Sequence, residues 1–298
     1  MRSSSCLETD IAMTNKLISG VFDTIESADY HSMPGVSNSM LSAMAKSPAH
    51  CYALYLDPQR PASTQTPAMA AGTLAHCMVL EPGMWPERYA IKPENHSGST
   101  TAGKLWNEQN KDFIGITNAQ LSNALLQSNA VQCVDELSIL LERGKPELSV
   151  FWIDDATGLQ CRCRPDWTHE HGDGTVTLID LKTTTDASPE GFSKAVANYG
   201  YHRQAWHYSR GYERASGKRV SQFVFAAVSN AYPFVAAAYR MDDETEMQAC
   251  EEVGELLALY ASCEKSGNWP AYGNGAHIIG LPAWARRSTE VDVQFVPE

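Results

Sequence analysis

The 298-residue chain is 43% hydrophobic and 19% charged, which is the composition of a globular protein and excludes a disordered one. No apolar run approaches the roughly 18 residues that a membrane span needs, and no apolar segment follows Arg2 as in a signal peptide. We therefore expect a cytoplasmic protein. The formal net charge of −12 argues against a broadly basic, nucleic-acid-binding surface.

One segment departs from this acidic average. Residues 160–220 contain nine Lys or Arg and seven Asp or Glu, and so carry a small positive excess. At physiological salt, charges beyond a Debye length of about 8 Å are largely screened, so the local surface decides what binds there. Arginines beside carboxylates in this segment indicate a ligand that carries phosphate.

The eight cysteines contain no C-x-x-C pair of the kind found in zinc sites and thiol redox motifs. We predict reduced thiols that are mostly buried. Cys161 and Cys163 could share one strand face, but two thiolates alone are too few for a structural zinc site. A zinc protein remains an alternative that metal analysis would test.

The first part of the chain is predicted to be helical. Residues 1–34 are polar and unpatterned and are expected to form a flexible arm, followed by one domain over 35–298. Within 35–145, Ser37 is a candidate N-cap, Ser47-Pro48 marks a break, and Thr117 is a second candidate cap. The small and apolar residues of "AMAAGTLAHCMVLEP" predict a closely packed helix that ends before Pro82.

Strands are predicted from Pro146 onward. "ELSVFWIDDATGLQCRCRPDW" predicts a hairpin, and "GTVTLIDLKT" predicts a third strand after a loop with His169 and His171. Two helices (188–198 and 200–215), two strands (220–229 and 234–240) and a long helix (242–265) follow. The order β-β-β-α-α-β-β-α indicates an α/β (mixed α+β) fold, with a mixed sheet over 146–265 and flanking helices. Residues 266–298, with "LPAWARR", are expected to be a docking tail.

Asp180 and Lys182 lie two positions apart at the end of the third strand, so both face the same side of the sheet. An exposed ion pair would explain them equally well in isolation. Asp166, however, ends the preceding predicted strand, and pairing would place its carboxylate beside that of Asp180. Two such carboxylates repel unless a cation lies between them, and their hard oxygen atoms favour Mg²⁺ or Mn²⁺.

Four short motifs in order point to a known group of enzymes. "GTLAH" matches G-x-x-x-H, "CRPD" matches a motif that ends in the first acid, "DLK" follows, and "QAWHY" matches Q-x-x-x-Y. The chain thereby resembles the RecB-like branch of the PD-(D/E)xK nuclease superfamily, although Cys163 stands where that branch usually has glycine. Over about residues 35–265 it is most similar to RecE-type exonucleases (exodeoxyribonuclease VIII).

The resemblance implies a restriction-endonuclease-like core and a Mg²⁺-dependent exonuclease that degrades one strand of duplex DNA from its 5′ end. Enzymes of this type work with a RecT-like single-strand annealing protein and assemble as rings on DNA ends in a bacterial host, often from phage or prophage genes. The implied metal ligands are His76, Asp166, Asp180 and the Leu181 carbonyl. An imidazole ligand suggests that Mn²⁺ can replace Mg²⁺.

The resemblance also assigns other roles. Lys182 would stabilise the transition state as a cation or act as a base, and we favour the cation because its unperturbed pKa is near 10.4. Gln204 would position a phosphate or water, and Tyr208 would brace Lys182 or the phosphate unless it packs in the core. Candidate DNA contacts are Arg162, Arg164, Thr183, Thr184 and Arg203. The Tyr and Trp residues of 199–212 are otherwise expected in the core.

Two acids have no assigned role. Glu81 is expected at a solvated helix end, and Glu147 partly matches an additional acidic motif of the branch. Two other functions also stay open. One is a nuclease for single strands or flaps within the same superfamily, in defence or CRISPR adaptation. The other is a catalytically silent protein that binds DNA ends.

Overall fold

The computed structural model describes residues 17–282 apart from 63 and 65, together with residue 286. The strands of this part are β1 (Gly20–Phe22), β2 (Tyr89–Ile91), β3 (Ile114–Ile116), β4 (Lys145–Pro146), β5 (Ser149–Ile153), β6 (Gln160–Cys163), β7 (Trp167–Glu170), β8 (Val176–Thr184), β9 (Val220–Ser229) and β10 (Ala236–Tyr239). None of the described helices is long and apolar enough to cross a membrane.

The α-helices precede and flank these strands. They are α1 (Ser27–Ser32), α2 (Asn38–Met44), α3 (Pro48–Cys51), α4 (Pro67–Leu80), α5 (Trp85–Arg88), α6 (Thr101–Gln109), α7 (Asn118–Gln132), α8 (Asp135–Glu142), α9 (Pro189–Tyr199), α10 (Tyr201–Ser216) and α11 (Asp243–Ser266). Both predicted caps are confirmed. Ser37 Oγ accepts from Met40 N, and Thr117 forms a capping box with Gln120.

The main sheet has five strands in the order β10-β9-β8-β7-β4. Strands β8 and β9 are parallel, and the other neighbours are antiparallel. A parallel pair needs a crossover connection, which α9 and α10 provide here between β8 and β9. The predicted mixed sheet with flanking helices is therefore confirmed.

Strand β8 is covered on both faces. Val176 and Leu178 pack in one core with residues of α9 and α10. Ile179 and Leu181 point the other way and pack in a second core with residues of α4, α7 and β9. Since side chains alternate along a strand, Asp180 and Lys182 belong to the α10 side of the sheet.

The expectation of a flexible arm over 1–34 is wrong for its second half. Strand β1 pairs antiparallel with β5, and this pairing joins a three-stranded sheet of order β1-β5-β6. Tyr30 of α1 is buried, with its ring 5.8 Å from that of Phe151. Residues 20–32, whose sequence shows no pattern, are thus held by the pairing of β1 with β5 and by the contact of Tyr30 with Phe151. Residues 1–16 lie outside the described residues.

The strand predicted to run through "CRCRPDW" is in fact divided. Strand β6 ends at Cys163 in the three-stranded sheet, and β7 begins at Trp167 in the five-stranded sheet. Pro165 lies at the break, where its missing N–H cannot support a ladder. Consequently Asp166 precedes β7 instead of ending a strand, and His169 lies on β7 and not in a loop.

The beginning of the C-terminal tail contacts the helical part. Ala49 N donates a hydrogen bond to Pro270 O at 3.1 Å, and the Trp269 ring lies 5.3 Å from that of Tyr260. The predicted docking of "LPAWARR" falls mostly on residues outside the described part, since 283–285 and 287 are not described.

Candidate active site

A buried ion pair lies at the end of β8. Asp180 is 2% exposed, and its Oδ2 is 2.6 Å from Lys182 Nζ. Burial lowers the pKa of Lys182, but the negative charges of Asp180 and Asp166 outweigh burial and raise it. Lys182 is therefore held as a cation.

Asp166 lies beside this pair, immediately before β7 begins at Trp167. In the antiparallel pair of β7 and β8, Trp167, the first residue of β7, pairs with Ile179. Leu181 lies two residues further along β8 and therefore has no backbone partner in β7. Leu181 N instead donates to Asp166 Oδ2 at 2.7 Å. The N–H and C=O of one strand residue point to the same side, so the Leu181 carbonyl faces this edge too.

Burial raises the pKa of Asp166, and the neighbouring charge of Asp180 adds to the effect, whereas His76 and Lys182 oppose it. Two carboxylates thus share a poorly solvated site. Such a site favours an added positive charge, whether it comes from a proton, a lysine or a metal ion.

Helix α4 contributes His76, whose Nδ1 lies 3.5 Å from Asp166 Oδ2. The helix begins at Pro67 after the Thr66 cap, and it buries Val79 and Leu80 against the face of β8 that carries Leu181. His76 therefore reaches the end of the sheet from the helix layer opposite α10.

Helix α10 contributes Gln204 from the other layer. Gln204 Nε2 donates to Asp180 Oδ1 at 2.5 Å, and both groups are buried. Tyr208, one turn later, packs edge-on against Phe223, with the ring centroids 6.2 Å apart. Burial raises the pKa of Tyr208 well above its usual range, so it remains a neutral phenol. The structure thus packs Tyr208 in the core beside the site.

Tyr201 is a site residue that the sequence analysis placed in the core. Lys182 Nζ lies 4.6 Å from the centroid of its ring, within the range of a cation–π contact. A signal was present in the sequence. Tyr201 precedes Gln204 by three residues, a spacing that puts both on one face of a helix.

The three arginines that are candidate DNA contacts each have a partner within the protein. Arg162 donates to Tyr30 O and lies over the Tyr30 ring. Arg203 Nη1 pairs with Glu252 Oε2 at 2.6 Å. These two side chains serve to hold α1 and α11, because their donors are directed at those helices.

Arg164 connects to the site through Glu147. Arg164 Nε donates to Glu147 Oε2 at 2.9 Å, and Glu147 N donates to Asp166 O at 3.0 Å. Glu147 has a φ of 51°, an unusual value for a residue with a side chain. Such values cluster at functional sites, so Glu147 belongs to the candidate site.

The threonines at the end of β8 differ from each other. Thr184 Oγ1 donates to Asp186 O at 3.1 Å and so closes the turn after the strand. Thr183 Oγ1 lies 3.6 Å from where a Cβ on Gly72 would be. Thr183 is thus next to α4, one turn before His76, and stays a candidate phosphate contact.

A cleft of about 880 Å³ opens beside these residues, and His76, Lys182 and Glu147 line it. Glu81 and Arg88 lie on its wall as an ion pair, with two contacts of 2.7 and 3.1 Å. Glu81 thus lies at the end of α4, where it is paired with Arg88. The cleft gives a ligand direct access to Lys182.

The donor chemistry of the site fits a divalent metal ion. Asp180 Oδ2 is buried, and the Lys182 ammonium lies 2.6 Å from it. With Asp166, the Leu181 carbonyl and His76, Asp180 could hold Mg²⁺ or Mn²⁺. Among the described residues, no three His, Cys, Asp or Glu side chains meet closely enough to form a complete ligand set as they stand.

Fold and site together define a class of protein. A mixed sheet that brings one Asp beside an Asp-x-Lys strand end, with a Gln-bearing helix against it, is the arrangement of the PD-(D/E)xK nuclease superfamily. Residues 37–281 match the model of the family described as "PDDEXK-like domain of unknown function (DUF3799)". The chain belongs to this family.

A similar fold occurs in a crystal structure from Eubacterium rectale, of a protein named as a candidate exonuclease. The two share 13% identity with a TM-score of 0.54, over 87% of this chain and 96% of that one. A Vibrio cholerae protein matches at 14% identity over 82% and 62% of the two chains, but its TM-score of 0.21 supports no argument. No curated protein matches the sequence significantly. The family match supports the superfamily and the Eubacterium rectale structure supports the fold, and neither singles out the RecE-type branch.

Proposed function

We propose that this protein is a metal-dependent double-stranded DNA exonuclease of RecE type. It would degrade one strand from 5′ to 3′ and leave 3′ single-stranded overhangs for recombination by strand annealing. The observation that carries the proposal is the meeting of Asp166, Asp180, Lys182 and His76 at one sheet end beside an open cleft. Metal-assisted phosphodiester hydrolysis can use this combination of hard anionic ligands and a fixed cation.

Each side chain has a distinct task in this proposal. Lys182 remains protonated and neutralises charge that builds up on the phosphate oxygens in the transition state. Gln204 fixes the orientation of the Asp180 carboxylate through its hydrogen bond. The Leu181 N–H holds Asp166 in the same way. The reacting groups are thus oriented before the DNA arrives.

A bound Mg²⁺ or Mn²⁺ would lower the pKa of a water molecule and stabilise the leaving oxygen. Asp166, Asp180, His76 and the Leu181 carbonyl are the groups that would hold it. Glu147 lines the same cleft, where its pairing with Arg164 fixes the orientation of its carboxylate.

The polarity, the RecT-like annealing partner and a ring of several copies are proposed from the RecE-type resemblance alone. The motifs "GTLAH", "CRPD", "DLK" and "QAWHY" occur in the order of the RecB-like branch, and the stretches "SMLSAMAKSPAHCYALYLD", "AAGTLAHCMVLEP" and "YGYHRQAWHYSRGYE" resemble RecE-type enzymes. A cytoplasmic site of action in a bacterial host goes with this assignment, because the substrate is a DNA end in the cell.

Linear duplex labelled at either the 5′ or the 3′ end tests the proposal. We expect early release of the 5′ label in Mg²⁺, retention of the 3′ label on a single strand, and no release in EDTA. Lys182→Ala and Asp180→Asn should each lower the rate by about 10²-fold or more. Lys218→Ala is the matched control, because Lys218 is paired with Glu170 at 2.6 Å, outside the residues that line the site.

Three results would contradict the proposal. Full activity in Lys182→Ala or Asp180→Asn would remove the site from the chemistry. Preferential cleavage of single strands or flaps would favour the other nuclease function. Strong binding of DNA ends without turnover in Mg²⁺ or Mn²⁺ would favour a silent end-binding protein.

A further inference from the structure

Tyr199 and Tyr201 form an aromatic pair beside the candidate catalytic lysine. Their ring centroids are 5.5 Å apart and their planes differ by 27°, so the rings are stacked. Tyr201 also lies under the Lys182 ammonium, at 4.6 Å from its ring centroid. One ring therefore separates Tyr199 from the group that would contact the scissile phosphate.

The two rings differ in their surroundings. Tyr201 is partly buried and packs against Phe192 and Phe225, with centroid distances of 6.0 and 5.9 Å. Tyr199 is 65% exposed, which contradicts our expectation that the aromatic residues of 199–212 lie in the core. A large exposed ring with a stacked neighbour below it offers a free aromatic surface to solvent.

The turn between the two tyrosines fixes their geometry. Gly200 has a φ of 69° and joins the end of α9 to the start of α10. Arg203 packs over Gly200 and is held in turn by Glu252, at 2.6 Å. The pair is thus anchored to three helices, and binding a flat ligand on it would cost little conformational entropy.

We propose that Tyr199 is a stacking site for a nucleobase, namely an unpaired or terminal base next to the phosphate that Lys182 contacts. This inference rests on the proposed function and names a contact of its substrate. Every base has a π face, so a tyrosine platform accepts any sequence, as an exonuclease without sequence preference requires.

The charge of the protein favours such a contact. A chain with a net charge of −12 gains little from long-range attraction to DNA, and the proposed arginine contacts are occupied within the protein. Short-range contacts at the site must then contribute a larger share of the affinity. A stacking contact is one that salt does not screen.

A double-mutant cycle tests the stacking directly. The probes are duplexes with short frayed ends that carry one abasic residue at the first, second or third position from the 5′ end, and an intact duplex. Binding is measured by fluorescence anisotropy with Ca²⁺ in place of Mg²⁺. For the wild-type protein we expect the abasic residue at one position to weaken binding about tenfold, a typical loss for one stacked base.

In Tyr199→Leu the same abasic residue should have no further effect, because the partner ring is already gone. Tyr199→Phe keeps the ring and should keep the full tenfold difference. Tyr272→Leu is the matched control, since Tyr272 is 64% exposed and contacts His50, away from the site.

Equal abasic penalties in wild type and Tyr199→Leu would overturn the inference, as would the lack of a penalty at all three positions in the wild type. A changed oligomeric state of Tyr199→Leu in sedimentation, with an unchanged penalty, would also overturn it and assign the surface to a contact between copies. Cleavage of the intact duplex in Mg²⁺ is scored separately. Wild-type cleavage without coupling refutes the stacking alone, and the absence of cleavage refutes the proposed function.

Discussion

The backbone N–H of Leu181 donates a hydrogen bond to Asp166 Oδ2 at 2.7 Å, which fixes the first acid of the site to the strand that carries the second. The contact exists because β7 begins only at Trp167 and leaves the next part of β8 without a backbone partner. A hydrogen bond that would complete the sheet ladder is thus used to orient a carboxylate. The site therefore forms where the hydrogen-bond ladder between β7 and β8 ends.

The buried pair of Asp180 and Lys182 makes a prediction about stability. Replacing Lys182 with Met leaves the Asp180 carboxylate buried beside Asp166, and we expect a loss of about 3 kcal/mol in the free energy of unfolding. The double variant Asp180→Asn with Lys182→Met removes the uncompensated charge and should recover most of this loss. Urea denaturation of the three proteins measures the effect. Equal instability of the single and double variants would show that the charge is not the cause.

Much of the fold could be predicted from the sequence because the signals are local. The caps at Ser37 and Thr117 depend on contacts three residues away. Strand β9 runs over Val220–Ser229, as its apolar run predicted. The order of strands and helices then allowed few arrangements other than a mixed sheet.

The contacts that the sequence does not reveal join residues that are distant in sequence. Arg203 faces Glu252 across 49 positions, and Arg162 faces Tyr30 across 132, so no local pattern reveals that these arginines are engaged. In the same way, β1 is ordered by its pairing with β5. The D-x-K spacing predicted that Asp180 and Lys182 share a face. The contact of Lys182 with Tyr201 could not be predicted in this way, because it depends on where the crossover helices α9 and α10 pack on the sheet.

Substitutions of Gln204 test whether the buried Asp180 carboxylate requires a neutral hydrogen-bond donor. Its amide donates to Asp180 Oδ1 in a buried setting, and Gln204→Glu would place a second carboxylate there. We expect Gln204→Glu to lower stability by more than Gln204→Leu, which should cost about 1–3 kcal/mol for an unsatisfied acceptor. Thermal unfolding of both variants at pH 7 decides the order. A more stable Glu variant would mean that Asp180 is not an ionised acceptor.

The lowered pKa of Glu252 predicts that the stability of the protein depends on pH. Burial alone would raise its pKa, but hydrogen bonds from Gln248, Arg203 and His202 outweigh burial and lower it to about 2. The carboxylate is thus bound more tightly in the folded state, and its contribution is full above the ordinary Glu pKa of about 4.3. That contribution is lost as the pH falls from there toward 2.

The stability difference between wild type and Glu252→Gln should therefore be largest near neutral pH and shrink between about pH 4.3 and pH 2. Urea denaturation at several pH values measures this difference. Glu190→Gln is a suitable control, because Glu190 is exposed and its pair with Lys194 lies on the surface of α9. A difference that stays constant with pH would show that the pKa of Glu252 is not lowered by folding.

Gly200 and Gly217 allow the packing of Arg203 over the turn between α9 and α10 to be tested against a matched position. Both glycines have a left-handed φ, 69° and 72°, so an alanine at either position carries the same backbone strain of about 1 kcal/mol. A Cβ at Gly217 would meet no atom within 4 Å, whereas one at Gly200 would lie 2.0 Å from Arg203 Nη2. Arg203 can move away only by weakening its contact with Glu252.

We therefore expect Gly200→Ala to be less stable than Gly217→Ala by about 1–2 kcal/mol, since it also disturbs a partly buried ion pair. Chemical denaturation of the two variants measures this difference. In the Glu252→Gln background the excess should shrink, because Arg203 is then free to move aside. An excess that persists unchanged in that background would place the strain in the backbone of the turn and not in the contact between α10 and α11.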